Sequence, residues 1–408
     1  MSSDPVLKNL SKLPGVEAPL ALKDEGPLSK LKRVGRPIRE LRKIPTKQLV
    51  FYSKNKEPTF TYDIKYKLPV KKHNIVIQVK AVGLNPVDLK IINSYTSNFN
   101  SFRGIGREYS GVITHVGSDH AVEWKEGEEV CGIFFHPNGF GTLASSIQID
   151  PSVDSIIRKP KNLSFVTGGS WIYTFGAAYQ LLNTVKNLNQ SSRVLINGGS
   201  SSVGLMLMQI LKTYFKVEDI VSIVAGSALD LVKRYGTKLA INYKVNPDIP
   251  HVLEVLTATG IYKDFNPEGE PTDTSINSGK FDLVIDCIGG YTLVEESRKF
   301  LKSSSEGGKY ITLVGDVKYN YSKDIYNDWN GAFVNARSMF GTAWSINYTK
   351  FEFNPRDKEF LPVGAEMLEN GEIVNVIDSV YEWSSFTKAA KKLKAGAHGK
   401  IVLQVEDF

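Results

Sequence analysis

Arg193-Val194-Leu195-Ile196-Asn197-Gly198-Gly199-Ser200-Ser201-Ser202-Val203-Gly204 is an apolar strand that runs into a glycine turn, and the turn opens an apolar helix over 203–215. A helix N-terminus offers free backbone N–H groups and the positive end of the helix dipole, which together bind a pyrophosphate. Small residues let the phosphates approach, and a glycine at 204 lets helix and strand pack closely. Aligned on that last glycine, the dinucleotide fingerprint becomes Gly199-x-Ser201-x-x-Gly204, with serine in place of the middle glycine. The strand–turn–helix context supports a phosphate site formed by Gly199, Ser200, Ser201, Ser202, Val203 and Gly204. A purely structural glycine turn is the alternative.

Strands and helices alternate on both sides of this motif. A helix is expected at 177–182, then a strand at 193–196, a helix at 203–215, a strand at 220–224 and a helix at 227–235. Strands at 282–286 and 309–314 carry the continuous apolar runs of a buried parallel sheet. This alternation argues for an α/β fold with a doubly wound sheet, placed at 171–344. The end of its second strand bears on the cofactor. An acid there would bind a ribose 2′-hydroxyl, but 220–224 is followed by Ala225-Gly226-Ser227-Ala228, and the next acid is Asp230. With Ser227, Lys233 and Tyr243 nearby, the pattern points to NADP(H). Gly289, Val314 and Gly315, after the later strands, complete the expected cofactor set.

Upstream, 48–52, 74–82, 111–117 and 129–135 are short strands separated by glycine and charged turns, a compact and mostly antiparallel β-domain. The chain ends in an amphipathic helix near 383–395 and a strand at 399–403. At 408 residues it is too long for one core, so two domains are expected. The segment 263–280, rich in Pro, Gly, Ser and Thr, is expected to be a polar surface insertion or mobile loop.

The formal net charge of +7 sits largely in a Pro-rich arm over 1–45, which carries Lys30, Lys32, Arg33, Arg36, Arg39, Arg42 and Lys43. Within it Leu28, Leu31, Val34, Ile38, Leu41 and Ile44 recur every three or four residues, an apolar stripe with a cationic face. Such an arm either lies on an anionic membrane surface, binds a partner, or packs on the protein's own body. It has no aromatic residues to stack on bases, so nucleic acid is not expected as a partner. No apolar run approaches the roughly 18–20 residues of a membrane span, and two cysteines do not make a disulfide scaffold. A cytoplasmic protein, peripherally membrane-associated if the arm engages lipid, is the simplest expectation.

From Val82-Gly83-Leu84-Asn85-Pro86-Val87-Asp88, Gly106-Arg107-Glu108-Tyr109-Ser110-Gly111-Val112 and Gly127-Glu128-Glu129-Val130-Cys131-Gly132 onwards, the chain resembles the medium-chain dehydrogenase/reductase superfamily, in its zinc-free quinone oxidoreductase branch. Phe281-Asp282-Leu283-Val284-Ile285-Asp286 and His398-Gly399-Lys400-Ile401-Val402 continue the resemblance, which covers about 46–408 in family order. It implies a GroES-like β-domain at 46–170 plus 345–408, with the nucleotide domain inserted between. It further implies hydride reduction of a quinone or α,β-unsaturated carbonyl substrate in the cleft, and frequent homodimers. Asn85 and Asp88 match the family positions beside the nicotinamide, although a turn around Pro86 also uses Asn and Asp for local hydrogen bonds. Tyr95 lies near the family's proton-donating tyrosine. Zinc-dependent relatives carry a cysteine near Asn85, a histidine at Arg107 and a cysteine near 170–173, and none is present, so no metal is expected. The long arm and the 263–280 insertion resemble a fungal subgroup that includes a yeast protein helping to target the plasma-membrane proton ATPase.

Overall fold

The structure is a computed structural model and describes residues 42–94, 101–136, 139–263, 273–318 and 346–408. Tyr95 and nearly all of the basic arm lie outside the described residues.

The first half of the chain is β-rich. Its strands are β1 (Lys43–Phe51), β2 (Thr59–Lys67), β3 (Ile75–Leu84), β4 (Arg103–Gly104), β5 (Glu108–Val116), β6 (Glu129–Ile133), β7 (Ser146–Ile149) and β8 (Ser155–Arg158). They are interrupted by helix α1 (Pro86–Ser94). β1 pairs antiparallel with β2 and with β4. The strand begins before the expected end of the arm at 45 and takes in Pro45, because the partner strand reaches back to Lys67 opposite Lys43.

The second half alternates. Helices α2 (Phe165–Gly168) and α3 (Ile172–Asn183) lead into β9 (Arg193–Asn197), α4 (Ser202–Thr213), β10 (Asp219–Val224), α5 (Leu229–Arg234), β11 (Leu239–Asn242) and α6 (Ile249–Thr259). β12 (Ile261–Lys263), β13 (Asp273–Ser275), β14 (Leu283–Asp286), α7 (Tyr291–Glu295), β15 (Lys309–Thr312), β16 (Asn347–Lys350) and α8 (Phe360–Glu369) follow. The chain closes with β17 (Ile377–Glu382), α9 (Phe386–Ala395) and β18 (Lys400–Gln404).

Six of these strands form a parallel sheet in the order β11-β10-β9-β14-β15-β16. β9 is its centre, and its side chains alternate between faces. Val194 and Ile196 enter the core that contains α3 and α4, and Leu195 enters the core beneath α6. Both faces being covered, the strand has no polar side, which is why its sequence is continuously apolar. α4 buries Gly204 through Leu211 without interruption, and each large apolar side chain buried this way contributes roughly 1.5–3 kcal/mol. The last strands return to the β-domain. β18 pairs antiparallel with β3 and parallel with β17, in a sheet ordered β17-β18-β3-β5-β6-β8 with β7 also on β3.

Two expectations are corrected. The returning segment was placed from 345, but β16 pairs with β15 in the parallel sheet, Tyr310 opposite Tyr348. α8 also stays on that side, so close that a Cβ at Gly364 would stand 2.5 Å from Trp171. The sequence Asn347-Tyr348-Thr349-Lys350 is a polar sheet edge with one buried tyrosine, which gives little apolar signal. The 263–280 segment is not all loop: β12 and β13 pair as an antiparallel arm, and Ile276 is buried beyond it. Residues 264–272 lie outside the described residues.

Candidate functional site between the glycine turn and the C-terminal strand

The order of the parallel sheet reverses between β9 and β14, and ligands of such sheets bind at the carboxyl ends of the strands flanking that point. The glycine turn leaves β9 there. Gly198 adopts φ +82°, and a Cβ at Gly204 would lie 2.6 Å from the Gly198 carbonyl and 2.7 Å from that of Gly199. No other side chain fits so close an approach of helix to turn. Ser201, which stands in the fingerprint's glycine position, has ordinary extended backbone, and its Oγ accepts the Gly204 amide at 3.1 Å. The serine is therefore the cap of α4.

Gly289, Val314 and Gly315 meet beside it. The Gly290 amide donates to Gly315 O at 3.0 Å, and the Gly315 amide donates to Thr312 Oγ1 at 2.8 Å. A Cβ at Gly289 would touch Val314 at 2.7 Å. Asp286 anchors this corner. It accepts the Ile288 and Gly289 amides, Asn197 Nδ2 and the Tyr310 hydroxyl, all within 2.8–3.0 Å. Burial still raises its pKa above the usual carboxylate range. Across the sheet, Ser227 is exposed at the end of β10, and the Tyr243 amide donates to Val224 O at 3.1 Å, which puts both at the outer carboxyl edge. Lys233 is exposed on the last turn of α5, and no described contact joins it to that pair.

Asn85 and Asp88 do not line an open cleft. Both are 2% exposed. Asp88 sits in the first turn of α1 and its Oδ2 accepts the Asn85 amide at 2.8 Å, so it caps the helix through the local hydrogen bond that the Pro86 turn allowed. Asn85 Nδ2 donates to Glu108 Oε1 at 2.8 Å, and its Oδ1 accepts Lys400 Nζ at 2.8 Å. Lys400 also donates to Glu108 Oε1, whose second oxygen accepts the Tyr173 amide at 3.0 Å. Glu108 and Lys400 are each 1% exposed, so this is a fully buried ion pair. A Cβ at Gly83 would stand 2.3 Å from Glu108 Oε1, so β3 needs a glycine where the carboxylate passes over it. Arg107, also buried, folds its guanidinium back onto the Gly104 and Gly106 carbonyls. Burial pushes Asp88 up to about 6, against the pull of the Arg107 cation, its amide bond and Lys400.

These residues do not fit a zinc ion. Two carboxylates stand there, Glu108 already paired with the Lys400 ammonium and Asp88 within the field of the Arg107 guanidinium, where a catalytic zinc takes roughly three N, S or O ligands at one open point. The described residues contain no group of three or more His, Cys, Asp and Glu that could hold a metal.

Three consecutive residues at the start of the C-terminal strand join the two halves of the site. His398 Nε2 meets Ser227 Oγ at 3.1 Å, Gly399 makes a parallel backbone bridge with Ser201, and Lys400 reaches Asn85 and Glu108. Residues 106–112, 281–286 and 398–402 all stood out in the sequence, but with no role for Glu108, Asp286 or Lys400. A lysine inside an otherwise apolar strand was the available signal for Lys400.

A switch-point glycine turn, faced by a buried polar network on an antiparallel β-domain, is the arrangement of a two-domain nucleotide-dependent oxidoreductase. Residues 71–151 match the family described as alcohol dehydrogenase GroES-like domain, and residues 263–403 match the one described as zinc-binding dehydrogenase. The chain belongs to the medium-chain dehydrogenase/reductase superfamily. It is 39% identical to Protein AST2 and 36% identical to Protein AST1 of Saccharomyces cerevisiae, in each case over all of this chain and 98% of the relative. Among solved structures, the quinone oxidoreductase from Coxiella burnetii covers 89% of this chain and all of its own at a TM-score of 0.68 and 21% identity. CurK enoyl reductase matches equally, at 0.68 and 19% identity.

Proposed function

We propose that the protein is a zinc-independent, NADPH-dependent reductase of a quinone or an α,β-unsaturated carbonyl compound. The observation that carries this reading is the convergence at one sheet edge of the glycine turn, the 289/314–315 corner and the Ser227–His398 pair, with no acid before Asp230 to repel a 2′-phosphate. The first turn of α4 would hold the pyrophosphate, Ser227, His398 and Tyr243 would meet the 2′-phosphate, and Lys233, on the last turn of α5, would add its charge. Bound there, the cofactor would supply a hydride.

The chain's own residues supply the rest. Asn85, Glu108 and Lys400 form a closed network that ties the ends of β3, β5 and β18 together. Burial raises the Asp88 carboxyl to about 6, its Oδ2 accepts the Asn85 amide, and its Oδ1 has no hydrogen-bond partner. Buried as they are, Asn85 and Asp88 act as positioning residues. The assay is NADPH consumption against a panel of short quinones and enones. Turnover that depends on acceptor supports the proposal, and neither cofactor binding nor turnover across the panel sinks it.

A second reading has its own support. The similarity to Protein AST2 and Protein AST1 spans the whole chain, basic arm included, whereas the quinone oxidoreductase structure covers 89%. It fits the fungal, ATPase-targeting subgroup and a binding role at a membrane or membrane protein. Among the described residues no helix is long and apolar enough to cross a membrane, so attachment would be peripheral. A chain starting at Arg42 spares β1 and should leave the membrane fraction; unchanged fractionation counts against this role.

A further inference from the structure

On the β-domain, away from the glycine turn, a groove of about 300 Å³ opens between the β1–β2 turn, the C-terminal half of α1 and one face of α9. That volume is at the lower end of small-molecule sites. Its floor is apolar: Leu89, Phe386 and Ala390 are 3–7% exposed, and Ile92 is half-buried beside them. Its rim is basic: Lys54 and Lys56 stand on the turn, Lys391 and Lys394 on the helix, and all four are exposed. The one acid of the rim, Glu57, accepts the Thr387 hydroxyl at 3.0 Å.

The lysines are not explained by pairing. Lys392, their neighbour on α9, reaches Asp378, and Lys80 reaches Asp407, but no side chain of the four rim lysines has a hydrogen-bond or ion-pair partner among the described residues. Lys394 lies in the last turn of α9, where the helix dipole favours a cation. That accounts for one of them and not for Lys391 or the two on the turn. Like charges gathered around a concave, low-dielectric wall focus a field that attracts anions. An apolar floor under that field selects a molecule with a hydrocarbon part as well as a charge.

We infer that this groove binds a small amphiphilic anion, an organic phosphate ester or carboxylate whose short apolar body lies on Leu89, Ile92, Phe386 and Ala390 while its charged head meets the lysines. The site is separate from the cofactor edge and does not depend on the reductase reading.

The test is calorimetric titration of the full chain with hexyl phosphate, inorganic phosphate and hexanol. The inference expects hexyl phosphate to bind with a Kd about tenfold or more below that of either of the others. The double variant Lys54→Glu with Lys391→Glu should weaken it by a similar factor at unchanged melting temperature, since both side chains are exposed and neither lies in the last turn of α9. Ile92→Ser should weaken hexyl phosphate and leave inorganic phosphate as it was. Equal affinity for the two phosphates means a solvated basic patch and overturns the inference, as does absence of hexyl phosphate binding or indifference to charge reversal.

Discussion

Lys400 holds two buried acceptors, Asn85 Oδ1 and Glu108 Oε1, and its removal would leave a carboxylate uncompensated in the interior. Breaking a buried pair from one side costs about 3–5 kcal/mol, far more than losing an exposed pair. Lys400→Met should therefore lower the unfolding free energy in urea by about that amount, and a loss below about 1 kcal/mol would contradict the closed network. Asp88 gives a pH-dependent counterpart. Its carboxyl titrates near 6 in the folded chain against an ordinary 3.8, so between those values the folded state keeps a proton that the unfolded state has lost. Stability falls as pH rises through that window and levels off above it, by roughly 3 kcal/mol in all. Asp88→Asn should remove that slope, and parallel profiles for the two proteins from pH 4 to 7 would show that Asp88 is not the group. This residue scale was the least legible in sequence. The bond between Asp88 and the Asn85 amide is local and was legible around Pro86, but the side-chain partners of Asn85 lie 23 and 315 residues away.

At the scale of elements, the strand–turn–helix unit read from 193–204 is present with the register its glycines require. Gly204→Val would drive a branched side chain into the carbonyls of Gly198 and Gly199, which stand 2.6 and 2.7 Å from a single Cβ. Overpacking of this kind costs about 1–3 kcal/mol, so melting should drop while the fold is retained. Nucleotide binding should be lost with it. Ser201→Ala removes the cap on Gly204 and should cost about 0.5–2 kcal/mol by denaturant titration. No change would mean that the hydroxyl is idle there. Long apolar periodicity made β9, α4, β3 and β5 readable in advance. β16 and the β12–β13 arm were not, because a short edge strand and a polar hairpin owe their place to pairing partners rather than to their own composition.

For the molecule as a whole, alternation of strands and helices after a β-rich half was enough to predict a doubly wound parallel sheet beside a β-domain. What it did not predict is that the turn into the last strand closes the site from the far end of the chain. His398, Gly399 and Lys400 touch the ends of β10, β9 and β3 in turn, and no local pattern encodes a contact across 171 residues such as Ser227–His398. An edge built for NADPH should show it in calorimetric titration of the purified chain with NADPH and NADH, with His398→Ala as the comparison. NADPH is expected to bind at least about tenfold more tightly than NADH, and His398→Ala to narrow the gap by weakening NADPH alone. Binding of neither nucleotide, or tighter binding of NADH, would contradict it.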